Sequence, residues 1–239
     1  MLKKKTWLLV LLFVSGVFSP AIISAAEIGE GIKVTFLGQS AFKIVGPEGQ
    51  VTDIDPFLKD NPETPPAMKE VRQADLILLT HGHADHLGDT PAIAQKTNAQ
   101  VIAMSELARF LTQRGVKNAV RMNKGGTAST KGIRITMVNA LHSSAIIEGD
   151  RILYAGEPAG FILRFGNGFT IYHAGDTAVF SDMKILAELY RPFSLGPDRG
   201  SCAFSFGSVF GYRYPDHLLS GSAFLWGTGC GLCLFTLPA

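Results

Sequence analysis

The stretch Thr80-His81-Gly82-His83-Ala84-Asp85-His86-Leu87-Gly88-Asp89 decides how this chain is read. Three imidazoles and a carboxylate fall between positions 81 and 86. An apolar run at 75–80 precedes them and a helical pattern at 90–96 follows. The run has the look of a buried strand, and Pro91 suits the first turn of a helix. Buried without partners, such a cluster would be costly. Imidazole nitrogen and carboxylate oxygen are the donors that divalent zinc prefers in catalytic sites. A tight turn lets His81 and His83 point one way and Asp85 and His86 another, so two cations fit on one loop.

Outward from this cluster, the histidine census supplies more donors. The chain has six histidines: His81, His83, His86, His142, His173 and His217. His142 ends a predicted strand in Ala140-Leu-His-Ser-Ser144, and His173 ends another in Tyr172-His-Ala-Gly-Asp-Thr177. Strand ends are where donors converge at a sheet mouth. A cluster at 81–86 needs further ligands, which favours His142. In the second motif Asp176 is preferred over His173, because a carboxylate can bridge two cations and Gly175 allows close backbone approach.

The rest of the chain alternates strands and helices. Strands are predicted over 32–37, 41–45, 50–54, 101–103, 133–138, 160–165 and 169–173. Helices are predicted over 105–114, capped by Ser105, and over 181–190. Residues 61–66 read as a loop. No internal repeat is present. This order predicts an α+β domain of sheets covered by helices. Of the 239 residues, 46% are hydrophobic and 18% charged, which excludes a disordered chain. A net charge of +2 carries no basic excess, so nucleic acid is not an expected partner. The expected partner is a small-molecule substrate.

The two ends differ from the middle. Residues 1–26 read as a signal peptide. Lys3, Lys4 and Lys5 precede a short apolar segment from Trp7 to Phe18, and Ser24-Ala25-Ala26 places small residues before Glu27. The expectation is export to the periplasm or medium, with no membrane segment after cleavage. Residues 27–193 form the expected catalytic domain. Residues 194–239 contain no Lys, Glu, Asn, Gln, Ile or Met, yet hold all three cysteines and eight glycines. No helical or strand period persists there, so an irregular tail is expected. Cys230-Gly-Leu-Cys233 has no second ligand pair and carries no assignment.

The motif H-x-H-x-D-H, a later lone His and a still later G-D-T resemble the metallo-β-lactamase superfamily. Within it the chain is similar to a family of metal-dependent hydrolases (UPF0173-like). Val34–Phe42, Asp53–Phe57, Leu78–Asp89, His142–Ser144 and Tyr172–Thr177 with Ser181–Met183 carry the likeness, which spans residues 31–192. The resemblance implies a four-layer αβ/βα sandwich, incomplete at the C-terminus, with two divalent metals at one sheet edge. His81, His83 and His142 would hold the first metal, Asp85 and His86 the second, and Asp176 would bridge. Asp55 would orient a ligand from behind. Zinc is the expected metal; Mn and Fe suit the same donors. The implied activity is hydrolysis of an ester, lactone, amide or phosphodiester by a metal-activated water. Asp85 would orient the nucleophile or carry its proton.

Members of this family end with another strand, a helix and a final metal-ligand His. Here that position lands near Trp226, and His217 comes too early and in the wrong context. A shifted reading frame after residue 193 would produce this break. Two rivals to hydrolysis stand beside it. One is a damaged, non-catalytic metal-binding product. The other is an iron-dependent redox or sulfur-transfer enzyme on the same donors.

Overall fold

The computed structural model describes residues 31–190 and four strands outside them, at 25–27, 201–205, 224–228 and 231–235. Sheet one runs β1 (Ala25–Glu27), β2 (Lys33–Phe36), β3 (Phe42–Val45), β4 (Val51–Ile54), β5 (Leu76–Leu78), β6 (Gln100–Met104) and β7 (Ala119–Met122). It is antiparallel from β1 to β4 and parallel from β4 to β7. The short β5 is buried on both faces, as a continuous Leu-Ile-Leu run requires at the centre of a covered sheet.

Sheet two contains β8 (Thr127–Thr130), β9 (Ile133–Asn139), β12 (Ala159–Phe165) and β13 (Thr170–His173). Beyond β13 it is extended by β14 (Ser201–Ser205), β15 (Phe224–Thr228) and β16 (Gly231–Phe235). The strand alternation sorts side chains between two faces. Ile135, Met137, Phe161, Leu163 and Ile171 face sheet one and join the main core. Val138, Ile162 and Tyr172 face the other way, under Leu186 and Tyr190. Between β9 and β12, a hairpin of β10 (Ala145–Glu148) and β11 (Arg151–Tyr154) stands apart from both sheets.

Helices α1 (Ala84–Leu87), α2 (Thr90–Thr97), α3 (Ser105–Gln113) and α4 (Met183–Leu189) complete the layers. The buried faces of α2 and α3 join the sheet-one core, and α4 lies on the outer face of sheet two. The result is the expected α+β sandwich of helix, sheet, sheet and helix. Among the described residues no helix is long and apolar enough to cross a membrane.

Three local expectations need correction. The tail is not without strands: β14 and β15 continue sheet two in parallel, and β16 pairs antiparallel with β15. Backbone ladder bonds are available to any sequence, so they form there without a clear side-chain period. Ser105 is the first helical residue rather than a cap, and Met104 holds the cap position without a side-chain bond. Helix α4 begins at Met183, not at residue 181. Residues 1–24, 191–200, His217 and Cys230 lie outside the described residues.

Candidate metal centre

Four strands of the two sheets end at one edge. The turn after β5 carries Thr80, His81 and His83, and the turn after β4 carries Asp55. The segment after β9 carries His142, and the segment after β13 carries Asp176. Gly175 explains how close the segments come. At φ +64°, a Cβ there would sit 2.7 Å from the Ala159 carbonyl oxygen and 3.0 Å from Thr80 Cβ. Gly82 is equally confined, since its Cβ would lie 2.4 Å from that of Ala155.

Two groups of donors result. The ligand atoms of His81, His83 and His142 lie within 4.8 Å of one another, as do those of His81, His86 and Asp176. His81 Nε2 is 2.9 Å from His83 Nδ1. Asp176 Oδ2 is 3.4 Å from His86 Nε2 and 3.8 Å from His142 Nε2. That oxygen therefore faces one donor of each group. Asp176 Oδ1 is engaged elsewhere, accepting from Ser40 Oγ at 3.2 Å. Asp85 stands at the rim, half exposed, with Oδ2 3.8 Å from His86 Nε2.

A buried layer behind the donors fixes their tautomers. Asp55 is fully buried, and its Oδ1 accepts from the Thr80 backbone N–H at 2.8 Å. Its Oδ2 accepts from Thr80 Oγ1 at 2.6 Å and from His86 Nδ1 at 2.8 Å. Because Thr80 Oγ1 gives its proton to Asp55, it accepts from His81 Nδ1 at 3.0 Å. Both His81 and His86 thus turn Nε2 toward the centre. This is the carboxylate–histidine arrangement that orients metal ligands. Asp55 adopts φ +46°, a conformation Asp tolerates better than most residues.

The electrostatics ask for positive charge. Burial pushes His81 down to about 3, with the nearby His86 charge adding to the effect. Its imidazole is neutral and offers a lone pair. Burial also opposes a charge on His86, but Asp55 and Asp176 outweigh it and raise the imidazole to about 10. Asp55 and Asp176 resist the upward push of burial and remain below the ordinary carboxylate range, because His86 faces both. A proton on His86 balances these carboxylates, and a divalent cation fits the same requirement. The donor set and its charge balance fit metal ions.

His173 stays out of both groups. It is buried between the sheets, its Nδ1 accepts from Gly175 N at 3.2 Å, and Phe42 packs against its ring edge-on. The residues brought together are His81, His83, His86, His142 and Asp176, with Asp85 at the rim and Asp55 behind. Sequence reasoning did not find Ser40, Thr80, Ser144 or Thr177. Ser144 Oγ accepts from Gly82 N at 3.2 Å and ties the His142 segment to the cluster turn. A hydroxyl beside each ligand motif is their only mark in the sequence.

Comparison with known proteins agrees with this architecture. Residues 51–195 match the family model for a β-lactamase superfamily domain. A UPF0173 metal-dependent hydrolase of Koribacter versatilis is 47% identical over 163 residues, covering 68% of this chain and 70% of its own. One from Rubrobacter xylanophilus is 46% identical over 163 residues, covering 68% of this chain and 67% of its own. Among solved structures, Igni18, a metallo hydrolase from Ignicoccus hospitalis, is 25% identical with a TM-score of 0.58. It covers 87% of this chain and 99% of that one. With its donor-bearing sandwich edge and these relatives, the chain belongs to the β-lactamase superfamily and, within it, to the UPF0173 metal-dependent hydrolase family.

Proposed function

We propose that this chain is a metal-dependent hydrolase that cleaves an ester, lactone, amide or phosphodiester bond of a small molecule. The observation that carries the proposal is the pair of donor groups meeting at His81 and flanked by Asp176 Oδ2. His81, His83 and His142 would hold a first divalent ion and Asp85 and His86 a second, with Asp176, whose Oδ2 faces a donor of each group, available to both. Zinc suits this set, as do manganese and iron. Bound cations supply Lewis acidity and make a water nucleophilic near neutral pH.

The chain's own groups do the positioning. Asp55 and Thr80 lock the imidazoles of His81 and His86, so donor geometry needs no reorganisation during turnover. Ser40 holds one oxygen of Asp176 and leaves the other facing the site. Asp85, half exposed at the mouth, can orient the attacking water or take its proton. The basic n-region and small-residue site at 24–26 support an exported chain.

The test is metal content by elemental analysis, with turnover of generic ester, lactone, amide and phosphodiester substrates before and after chelation. Chelator-sensitive hydrolysis that returns with metal is expected. Folded, metal-loaded protein inactive on all four classes would overturn the proposal.

A further inference from the structure

We infer that Thr177 is a positioning residue that clasps the Asp176 segment to the His142 segment and so sets the spacing of these two donors. The inference rests on the metal-site reading given above. His142 follows β9 and Asp176 follows β13, and β12 lies between those strands in sheet two. Two strand spacings separate them, about 10 Å. No ladder bond of the sheet joins β9 to β13, yet His142 Nε2 comes within 3.8 Å of Asp176 Oδ2.

Side-chain and backbone bonds just beyond the strand ends close that gap. Thr177 Oγ1 accepts from Leu141 N at 2.8 Å and donates to the Ala178 carbonyl at 2.7 Å. Ala178 N in turn donates to the Leu141 carbonyl at 2.9 Å. Leu141 therefore both donates to and accepts from the segment that bears Asp176. Thr177 is 5% exposed, so little water competes for its hydroxyl. Leu141 immediately precedes His142, and Thr177 immediately follows Asp176. Any slack in the clasp passes directly to the two donors. Removing the hydroxyl leaves a half-buried Leu141 N–H without its acceptor, which favours movement of the segment.

The test compares Thr177→Val, which keeps the shape, with Thr177→Ser, which keeps the hydroxyl. Each purified protein is loaded with cobalt(II), its visible absorption is recorded, and zinc affinity is measured by chelator competition. The valine variant should show a shifted or weakened cobalt band and about tenfold or more weaker zinc binding. The serine variant should restore both. A role in folding alone would lower the melting temperature but leave the cobalt band of the folded protein unchanged. An unaltered band and affinity in Thr177→Val would overturn the inference. A parent protein that takes up neither cobalt nor zinc would instead overturn the metal-site reading beneath it. Should the valine variant not fold, hydrogen exchange at the Leu141 amide of the parent decides. Protection supports the clasp, and free exchange overturns it.

Discussion

Asp55 and His86 form a fully buried pair, with Oδ2 and Nδ1 2.8 Å apart. The same carboxylate also receives Thr80 N and Thr80 Oγ1, so Asp55 is an acceptor facing three donors. An amide cannot satisfy all three, because its NH₂ must face one of them. Asp55→Asn should therefore weaken zinc binding by about 10–100-fold. Chelator competition measures it. Unchanged affinity would show that Asp55 does not orient His86 toward a metal.

Asp53 gives a pH dependence of the opposite sign from most carboxylates. It is buried on β4, with Oδ1 3.2 Å from Lys43 Nζ. Burial lifts its carboxyl from 3.8 to about 6, although Lys43 pulls the other way. The folded value is raised, so the folded state binds this proton more tightly than the unfolded state. The contribution is complete below the unfolded value and is lost as pH rises through about 6. It amounts to about 3 kcal/mol. Asp53→Asn removes that dependence. The melting temperature of metal-free Asp53→Asn, relative to parent, should rise by several degrees between about pH 4 and pH 7. Calorimetry that finds a constant difference would refute the assignment.

Gly175 carries a steric prediction. Its positive φ and the 2.7 Å approach to the Ala159 oxygen leave no room for a methyl group. Gly175→Ala should destabilise the metal-free protein by about 2 kcal/mol or more. Denaturant unfolding reads this directly. A stability equal to that of the parent would mean that the loop has another conformation.

The legible part of this protein was the part whose chemistry is local. The spacing of His81, His83, Asp85 and His86 showed its donors within one turn, and His142 and Asp176 stood in recognisable strand-end motifs. Thr177, Ser40 and Thr80 were not legible, because each matters through a partner brought close only by the fold. The β10–β11 hairpin was missed for a different reason. Its outward face carries the exposed Ile147, Ile152 and Tyr154, while Glu148 on the opposite face pairs with Arg114 and Arg151. Ile146 and Leu153 share the face of Glu148 and pack into the main core, so apolar residues sit on both faces and the apolar–polar alternation by which half-buried strands are found is absent. Strand β8, Thr127–Thr130, has only alanine as an apolar residue and gave no signal.

Export makes a prediction about the mature chain. Cleavage after Ala26 leaves Glu27 as the first residue and removes two of the three residues of β1. The mature sheet one would then end at β2. N-terminal sequencing of protein from the native compartment should begin at or near Glu27. A full-length chain starting at Met1 in the cytoplasm would overturn the expectation.

The two proposed metal positions should differ in affinity. The first has three imidazoles whose ligand atoms already lie within 4.8 Å of one another. Two of them are linked at 2.9 Å, and desolvation keeps His81 neutral and ready to bind. The second rests on His86, Asp176 and Asp85, and Asp85 is half exposed, 3.8 Å from His86 Nε2. The resemblance calls for a further His near residue 226, where Trp226 stands instead. Affinity rises with donor number and with a rigid surrounding shell, and the second position is poorer in both. Titration of metal-free protein with zinc should show one tight equivalent followed by a weaker one. His142→Ala should abolish the tight phase, whereas Asp85→Asn should affect only the weak phase. A protein with a family-like C-terminal segment in place of residues 194–239 should gain a second tight equivalent and a faster turnover. Two equally tight equivalents in the chain as it stands would defeat this prediction, because a donor from the tail would then have to complete the second position.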